Sequence, residues 1–409
     1  MSDRLRLTRD GLLLFLTRAV RMFAYGLVAI VLLLYLTEVG LTSEEQALLL
    51  SLTLIGDTAI SLWLATHADQ FGRRKTLIIG SLLMLLAGVT FSFSTSFLML
   101  LFAATVGVIS PSGSEVGPFQ SVEHAALTEL AGPRHRTTVF AWYHVIGISA
   151  AACGALCSGL GLDWAQRHGW QGVEAYRPIL FLYSTCGLAM AGLSLWLGPA
   201  VEASVPPSPL ATRWGLHRSG RMVGKLSVLF AVDAFGGGFI VQAITAAWLT
   251  LRFGLRPAEL GYIFFAANIL SGASALAAGW FARRIGLINT MVFTHLPSNV
   301  LLLLMPFMPD AVSAVILLLV RYSISQMDVP TRQAFTMAVV APDERSAAAG
   351  VTTVARSIGA SASPGLAAML LAQPGWISTP FLLAGGVKIA YDLTLFAMFS
   401  RRGEDAEPS

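Results

Sequence analysis

The sequence has 409 residues, of which 55% are apolar and 12% are Asp, Glu, Lys or Arg, and its formal net charge is +4. A soluble domain carries about 25% charged residues, so this supply could cover the surface of a soluble protein only by leaving large apolar patches exposed. The composition therefore excludes a soluble enzyme, a nucleic-acid-binding domain and a disordered chain, and it indicates an integral membrane protein.

Twelve apolar segments are long enough to cross a bilayer, for which a helix needs about 20 residues. Polar turns that contain Gly or Pro separate several of them, as at Pro257 and Pro309. The sequence therefore predicts an all-α membrane protein with twelve transmembrane helices, at about 12–36, 44–66, 76–95, 97–127, 137–162, 178–198, 223–250, 259–282, 288–307, 311–339, 346–371 and 379–399.

Basic residues are distributed unevenly between the two ends of these predicted helices. Most of those in loops lie on the side that holds the N-terminus, whereas Arg167, Arg177, Arg252 and Arg256 lie on the opposite side. Because Lys and Arg accumulate on the cytoplasmic side of membrane proteins, we expect both termini in the cytoplasm. We expect the chain to lie in the inner (plasma) membrane of the cell.

A long polar stretch divides the predicted helices into two groups of six. We expect an N-terminal six-helix bundle at 1–200, a cytoplasmic central loop at 201–222, a C-terminal six-helix bundle at 223–400 and a cytoplasmic tail at 401–409. The two groups also repeat a pattern, since Glu115 and Asp328, 213 residues apart, each precede a Val and, five positions on, a Gln. Such a repeat favours a duplicated unit with pseudo-symmetric halves.

The loop between the second and third predicted helices carries a specific motif, Ala-Thr-His-Ala-Asp-Gln-Phe-Gly-Arg-Arg-Lys at 65–75. Its Asp69, Gly72, Arg73 and Arg74 match the Gly-x-x-x-Asp-Arg/Lys-x-Gly-Arg-Arg/Lys pattern of the major facilitator superfamily. With its six plus six helices, the whole chain resembles this superfamily, and its drug and metabolite efflux branches in particular. The resemblance implies a monomeric transporter without a cofactor, in which Asp69 and Arg73 help to latch the two halves in the outward-facing state.

Ionisable groups inside a bilayer are costly unless they are paired or hydrated. Arg18 and Arg21 lie three residues apart on one face of the first predicted helix, and Asp57 lies at a similar depth in the second. We therefore expect an intramembrane ion pair between these helices. The alternatives are a fixed structural pair with no transport role, and an Arg18 side chain that extends to the cytoplasmic face.

The fourth predicted helix is long and contains Pro and Gly residues around Glu115, which indicates a kinked segment that lines a cavity. We expect Glu115 and its repeat partner Asp328 to face that cavity. Glu123 and His124 lie nearer the cytoplasm, and His124 either relays a proton or forms a structural hydrogen bond.

In the second half, Asp233, Arg321 and Arg356 each lie about ten residues into a predicted helix, which places all three near the midplane. An acid and two bases at one depth predict a binding or coupling site. Lys388 and Asp392 stand four residues apart on the last helix, and we expect them to pair with each other. Further polar candidates for the cavity are Tyr143 and His144.

These features predict a proton-coupled secondary transporter, and the resemblance favours export of a small organic compound. The buried arginines would suit an anionic substrate and the buried carboxylates a cation or proton, so uptake of an organic anion is the alternative. A non-transporting membrane sensor or scaffold is the alternative from another class. The sequence contains no HExxH, GxSxG or P-loop motif, so we expect no enzyme activity. The expected partners are a small molecule, protons and lipid, without nucleic acid or metal.

Overall fold

The structure is a computed structural model that describes residues 8–113, 119–202, 218–341 and 344–403, and it describes the backbone but not the side chains of 65–67, 69–70, 131–137, 346 and 400–403. Throughout these ranges the regular structure is helical. The helices of the first half are α1 (Arg9–Ala29), α2 (Leu32–Glu38), α3 (Ser43–Phe71), α4 (Arg73–Phe93), α5 (Phe97–Val106), α6 (Phe119–Arg167) and α7 (Val173–Leu195). Those of the second are α8 (Gly220–Gly238), α9 (Gln242–Phe253), α10 (Pro257–Ile285), α11 (Leu287–Leu304), α12 (Ala311–Ile324), α13 (Asp328–Val339), α14 (Arg345–Leu371) and α15 (Thr379–Gly403).

The helices have the length and polarity of membrane spans. Among the described residues, eleven helical segments are long and apolar enough to cross a bilayer, and Phe97–Val106 is a shorter apolar helix. Large apolar side chains on these helices are exposed, such as Phe93 at 70% and Leu98 at 72%, and such surfaces require a lipid environment. The predicted all-α membrane fold is confirmed.

The fourth and fifth predicted spans differ in their boundaries from the helices observed. The sequence predicts separate helices at 97–127 and 137–162, whereas α6 runs without interruption from Phe119 to Arg167. A proline removes one backbone hydrogen bond, and neighbouring groups in a membrane protein can compensate for that loss. The turn signal near Pro133 therefore does not end the helix.

The seventh predicted span is divided by three consecutive glycines. Helix α8 ends at Gly238 and α9 begins at Gln242, with a turn closed by the bond from the Ile240 N–H to the Gly237 carbonyl at 3.2 Å. Glycines in a helix are flexible and weaken it, so the bend falls where the sequence places them. It lies just beyond Asp233, one of the predicted site residues.

The chain divides into two compact units, Met1–Ser208 with Arg256–Phe265 and Pro209–Leu255 with Ala266–Ser409. In the first unit α1 packs on α6 and α7, and α4 packs on α7. In the second unit α8 packs on α14 and α15, while α11 packs on α13 and α15. The apolar core of the second unit joins α8, α11, α13 and α15 through buried residues that include Phe230, Met291, Phe335, Tyr391 and Phe399.

Glycines allow close helix contacts at equivalent places in the two units. A Cβ added to Gly26 in α1 would lie 2.1 Å from the carbonyl oxygen of Ala151 in α6. A Cβ added to Gly238 in α8 would lie 2.1 Å from Ser363 Oγ and 2.8 Å from the carbonyl oxygen of Ala360, both in α14. Gly26 and Gly238 are 212 residues apart, and Ala151 and Ala360 are 209 apart. The same small-residue contact therefore recurs in both halves.

We expect Gly26→Ala to lower the free energy of unfolding by about 1–3 kcal/mol, because the new methyl group would force α1 away from the backbone of α6. Thermal unfolding in detergent measures this effect. Gly161→Ala in α6 is the matched control, since a Cβ at Gly161 meets nothing within 4 Å. Equal melting temperatures for the two variants would contradict the close contact.

Candidate functional site

A buried ion pair connects α1 with α6 in the first unit. Arg21 donates from Nη1 to Glu123 Oε1 and from Nη2 to Glu123 Oε2, both at 2.7 Å, and both side chains are 0% exposed. Thr17, one helical turn before Arg21, donates to Glu123 Oε1 at 3.0 Å, and the Tyr143 hydroxyl donates to Oε2. We call Thr17, Arg21, Glu123 and Tyr143 the Glu123 cluster. Its carboxylate is neutralised by a two-pronged contact and two hydroxyl donors, which is the geometry that a buried charge requires.

Aromatic rings surround this ion pair. The guanidinium carbon of Arg18 lies 4.2 Å from the centroid of the Tyr143 ring, a cation–π contact. The ring of His124 packs edge-on against Phe140 and Tyr143, at centroid distances of 4.8 and 5.2 Å. Gly147 leaves room for the Arg18 side chain, since an added Cβ would lie 2.5 Å from its Nε. These contacts place Arg18 and His124 beside the Glu123 cluster.

Asp233 forms the centre of a larger network in the second unit. Its Oδ1 accepts from Lys388 Nζ at 2.5 Å, and its Oδ2 accepts from Arg356 Nη1 at 3.0 Å and from Arg332 Nη1 at 3.2 Å. Arg332 also contacts Asp328 Oδ2 at 2.7 Å. We call these five residues, which come from α8, α13, α14 and α15, the Asp233 cluster. The Asp233 side chain is 4% exposed, whereas that of Arg356 is 33% exposed and is accessible to a molecule outside the cluster.

The predicted pair between Lys388 and Asp392 is wrong. Lys388 extends to Asp233, while Asp392 accepts from Asn299 Nδ2 at 2.9 Å and lies 2.7 Å from His295 Nδ1. The absence of a side chain on Gly236 explains the direction of Lys388, because a Cβ there would lie 2.9 Å from Lys388 Cγ. We call His295, Asn299 and Asp392 the His295 triad.

The His295 triad adjoins the Asp233 cluster. His295 Nε2 lies 3.8 Å from Asp233 Oδ1, and its opposite ring nitrogen faces Asp392. The sequence interpretation missed His295 and Asn299. An imidazole and an amide four residues apart in a predicted membrane span could have indicated a buried polar site. The imidazole is therefore placed between two carboxylates.

The other predicted residues fall into three groups. Arg321 is buried on α12 with its guanidinium carbon 5.4 Å from the Tyr322 ring, and within the described residues no ion pair joins it to the Asp233 cluster. His144 is exposed, and Asp57 accepts from the Ser61 hydroxyl at 3.3 Å, so the pairing of Asp57 with Arg18 stays a prediction. Glu115 lies outside the described residues.

The loop motif positions α4 at the end of α3. Gly72 has φ = +100°, which disfavours any side chain, and the Arg73 N–H that follows it donates to Glu202 Oε2 at 2.7 Å. The Arg73 guanidinium contacts Glu129 Oε1 at 2.9 Å, and that of Arg74 donates to the Leu195 carbonyl. The Asp69 side chain lies outside the described part of the structure. These contacts are all within the first unit, and the gating role of the motif stays a prediction.

Comparison with known proteins shows the family. The Major Facilitator Superfamily model matches residues 14–364. The chain belongs to the Major Facilitator Superfamily. It is a multi-pass membrane protein of this family, whose members are small-molecule transporters and not enzymes. The predicted superfamily is confirmed, while the efflux branch stays a prediction.

This superfamily member is similar to individual proteins over nearly its whole length. It is 29% identical over 424 residues to the uncharacterized membrane protein YJR124C of Saccharomyces cerevisiae, covering 96% of this chain and 94% of the yeast protein. The crystal structure of the nucleoside transporter NupG matches with a TM-score of 0.73 and 14% identity over 96% of this chain and 99% of NupG.

Two further solved structures share the superfamily fold. A bacterial homolog of the human lysosomal transporter Spinster matches with a TM-score of 0.69 and 15% identity over 100% of both chains. The D-xylose-proton symporter matches with a TM-score of 0.70 and 13% identity, over 94% of this chain and 97% of the symporter. At these identities the likeness shows the fold alone.

Within this superfamily member each unit holds a buried ion pair that involves its first helix, and the two pairs have opposite signs. Arg21 and Asp233 are 212 residues apart, which is also the distance between Gly26 and Gly238. The first unit therefore places arginine on its first helix and glutamate opposite, whereas the second places aspartate on its first helix and arginine opposite. The described residues contain no group of three or more His, Cys, Asp or Glu side chains that could hold a metal ion.

Proposed function

We propose that the chain moves a small organic compound across the membrane by alternating access, as a secondary active transporter coupled to protons through the Asp233 cluster. The observation that carries this proposal is the position of Asp233, a buried carboxylate bound by cations from three other helices, of which Arg356 is 33% exposed. A substrate group that binds Arg356 competes with Asp233, so substrate binding changes the electrostatic balance of the cluster.

There are two candidates for the direction of transport, and each has its own support. Export is favoured by the resemblance of the sequence to the efflux branches, which is an argument by analogy. Uptake of an organic anion is the second candidate, and the accessible guanidinium of Arg356 favours the anionic substrate that this candidate requires. We place both termini in the cytoplasm on the distribution of the basic residues. We propose a monomer in the plasma membrane by analogy with the superfamily.

Transport assays in liposomes test the function directly. Purified protein is reconstituted with a pH-sensitive dye inside, and organic anions, cations and neutral compounds are added in turn. We expect one class of compound to move protons, and the sign of the pH change separates symport from antiport. Compound binding without any flux would instead support the sensor.

We expect both Glu115→Gln and Asp233→Asn to abolish or strongly reduce substrate-dependent proton movement, because each removes a carboxylate that we assign to the coupling site. The dye assay measures this effect against protein-free liposomes. If both variants keep wild-type proton movement and its pH dependence, the coupling role of these carboxylates is wrong.

We expect Arg356→Ala to raise the substrate concentration needed for half-maximal transport of an anion by roughly 10- to 100-fold, since a hydrogen bond to a charged group contributes about 1.5–3 kcal/mol. Arg321→Ala removes a buried arginine outside the Asp233 cluster and should have a smaller effect. Unchanged affinity in both variants would exclude an anion site at these arginines.

A further inference from the structure

The surroundings of His295 determine which of its nitrogens carries a proton. Asp392 accepts a hydrogen bond from the Asn299 amide through Oδ2 at 2.9 Å, and its Oδ1 lies 2.7 Å from His295 Nδ1. The Asn299 amide nitrogen also lies 3.2 Å from His295 Nδ1, which is longer than either of these two contacts. A carboxylate that already accepts from an amide is best satisfied by a second donor, and the neutral imidazole can donate from one nitrogen only. The proton of the neutral ring therefore lies on Nδ1, directed at Asp392.

This tautomer leaves an unusual contact on the other side of the ring. Nε2 then carries a lone pair, and the atom it faces, Asp233 Oδ1 at 3.8 Å, is itself an acceptor. A proton added at Nε2 converts this pair of acceptors into a donor and an acceptor. A proton bound at Nε2 therefore brings the resulting imidazolium into competition with Lys388, which binds the same oxygen at 2.5 Å.

The ion pairs around His295 balance when the ring is neutral. They join three carboxylates and three cations: Asp233 from α8, Asp328 and Arg332 from α13, Arg356 from α14, and Lys388 and Asp392 from α15, with the Tyr391 ring 6.1 Å from that of His295. The buried Arg321 of α12, a helix that also packs against α11, forms no ion pair with these groups among the described residues. One added proton gives the network one excess positive charge. In a low-dielectric site this excess is costly unless an anion accompanies it.

We propose that His295 Nε2 is the atom that carries the coupled proton, that Asp392 and Asn299 are positioning residues for it, and that the substrate is an organic anion whose charged group binds Arg356. The inference rests on the second candidate of the proposed transport function, uptake of an organic anion, because the proton and the anion cross the membrane together. A proton from the solvent forms the N–H bond at Nε2, and the imidazolium binds Asp233. The imidazolium and Lys388 then share Asp233 Oδ1, and the added positive charge weakens the attraction of this carboxylate for Arg356 on Oδ2. Arg356 binds the anion, so one proton and one monoanion together leave the net charge of the network unchanged. On the other side of the membrane the anion leaves, Arg356 returns to Asp233 and the proton departs.

A spectroscopic experiment tests the histidine without any substrate. The full chain is labelled with ¹⁵N-histidine and studied by NMR in nanodiscs while the pH is lowered, and the His295 signals among the seven histidines are those that His295→Asn removes. We expect a neutral ring protonated at Nδ1 that gains its second proton at Nε2. In Asp392→Asn the preference for Nδ1 should be lost. A neutral ring protonated at Nε2, or a ring that gains no proton while the protein remains folded, overturns the proposal.

A transport experiment tests the coupling. In His295→Asn the new amide lies near the position of Nδ1 and can still donate to Asp392, but nothing replaces the base at Nε2. For the panel anion that moves protons with the wild type, we expect this variant to lose proton movement. Because the anion then binds without an accompanying positive charge, the variant should also exchange labelled for unlabelled anion more slowly than the wild type. His168→Asn makes the same change at an exposed histidine, His168, and should behave as the wild type.

The outcomes separate the two proposals. Wild-type proton flux with His295→Asn overturns the role of His295 and leaves the transport proposal standing, and so does a panel in which only cations move protons. No proton flux with any compound in the wild type contradicts the proposed function, and the NMR result then still decides where the proton is carried.

Discussion

Glu123→Ala should lower the free energy of unfolding by about 3–5 kcal/mol, which is the expected cost of removing one partner from a buried ion pair. Arg21 is 0% exposed, and its Nη1 and Nη2 atoms each donate to this carboxylate at 2.7 Å within the first unit. When Glu123 is removed, the charge of Arg21 stays in the bilayer and loses this carboxylate as its counter-ion. Thr17 and Tyr143 lose the carboxylate as their acceptor. Denaturant titration in mixed micelles measures the change.

Glu174→Ala is a suitable control, because Glu174 is 62% exposed and pairs with the 40% exposed Arg177. An exposed pair contributes about 0–1 kcal/mol, so this variant should unfold almost as the wild type does. Glu123→Gln keeps an acceptor for one of the two hydroxyls, and its effect should fall between those of the other two variants. If Glu123→Ala and Glu174→Ala unfold alike, the pair between Arg21 and Glu123 does not hold α1 against α6.

Asp233→Asn should destabilise the second unit by a similar amount, because it removes the anion that binds Lys388, Arg332 and Arg356. Combining it with Lys388→Met removes one cation as well and restores the charge balance. We expect the double variant to be more stable than the sum of the two single effects predicts, by about 0.5–3 kcal/mol. Measuring the unfolding of the wild type, the two single variants and the double variant under the same conditions gives this coupling energy.

The pair of Asp163 and Arg167, at 2.7 Å on α6 with the Arg167 side chain 64% exposed, provides the matched double-mutant cycle. Its coupling energy should be at most about 0.5 kcal/mol, as for exposed pairs four residues apart. Additive effects of Asp233→Asn and Lys388→Met would show that the 2.5 Å contact contributes nothing to stability, and the account of the Asp233 cluster would be wrong.

The depth of a charged residue in the membrane can be predicted from sequence, but the direction in which it faces cannot. Counting residues from the helix ends placed Asp233, Arg321 and Arg356 at one depth, and the structure joins Asp233 to Arg356 at 3.0 Å while Arg321 stays outside the cluster. Depth depends on the rise per residue, which is constant. Direction depends on how the helices rotate and pack, which a single sequence does not record.

The partner of Lys388 was mispredicted for a related reason. Spacing by four residues places Lys388 and Asp392 on one face of α15, yet the long lysine side chain passes the missing Cβ of Gly236 and binds Asp233. A gap between α8 and α15 decides the pairing, and that gap exists only in the packed unit. The position of His295 could not be predicted either, because the role of an imidazole depends on its neighbours. Those neighbours, Asp233 and Asp392, lie on other helices far along the chain.

The opposite signs of the two ion pairs limit how this gene can change. Converting Arg21 and Glu123 into the arrangement of Asp233 and Arg332 by single steps passes through a protein with two arginines or two acids facing each other in the bilayer. Such an intermediate is disfavoured, so the members of each pair are expected to be inherited together. Among relatives of this chain they should vary in concert, and a chimaera that exchanges one member should fail to assemble where one that exchanges both succeeds.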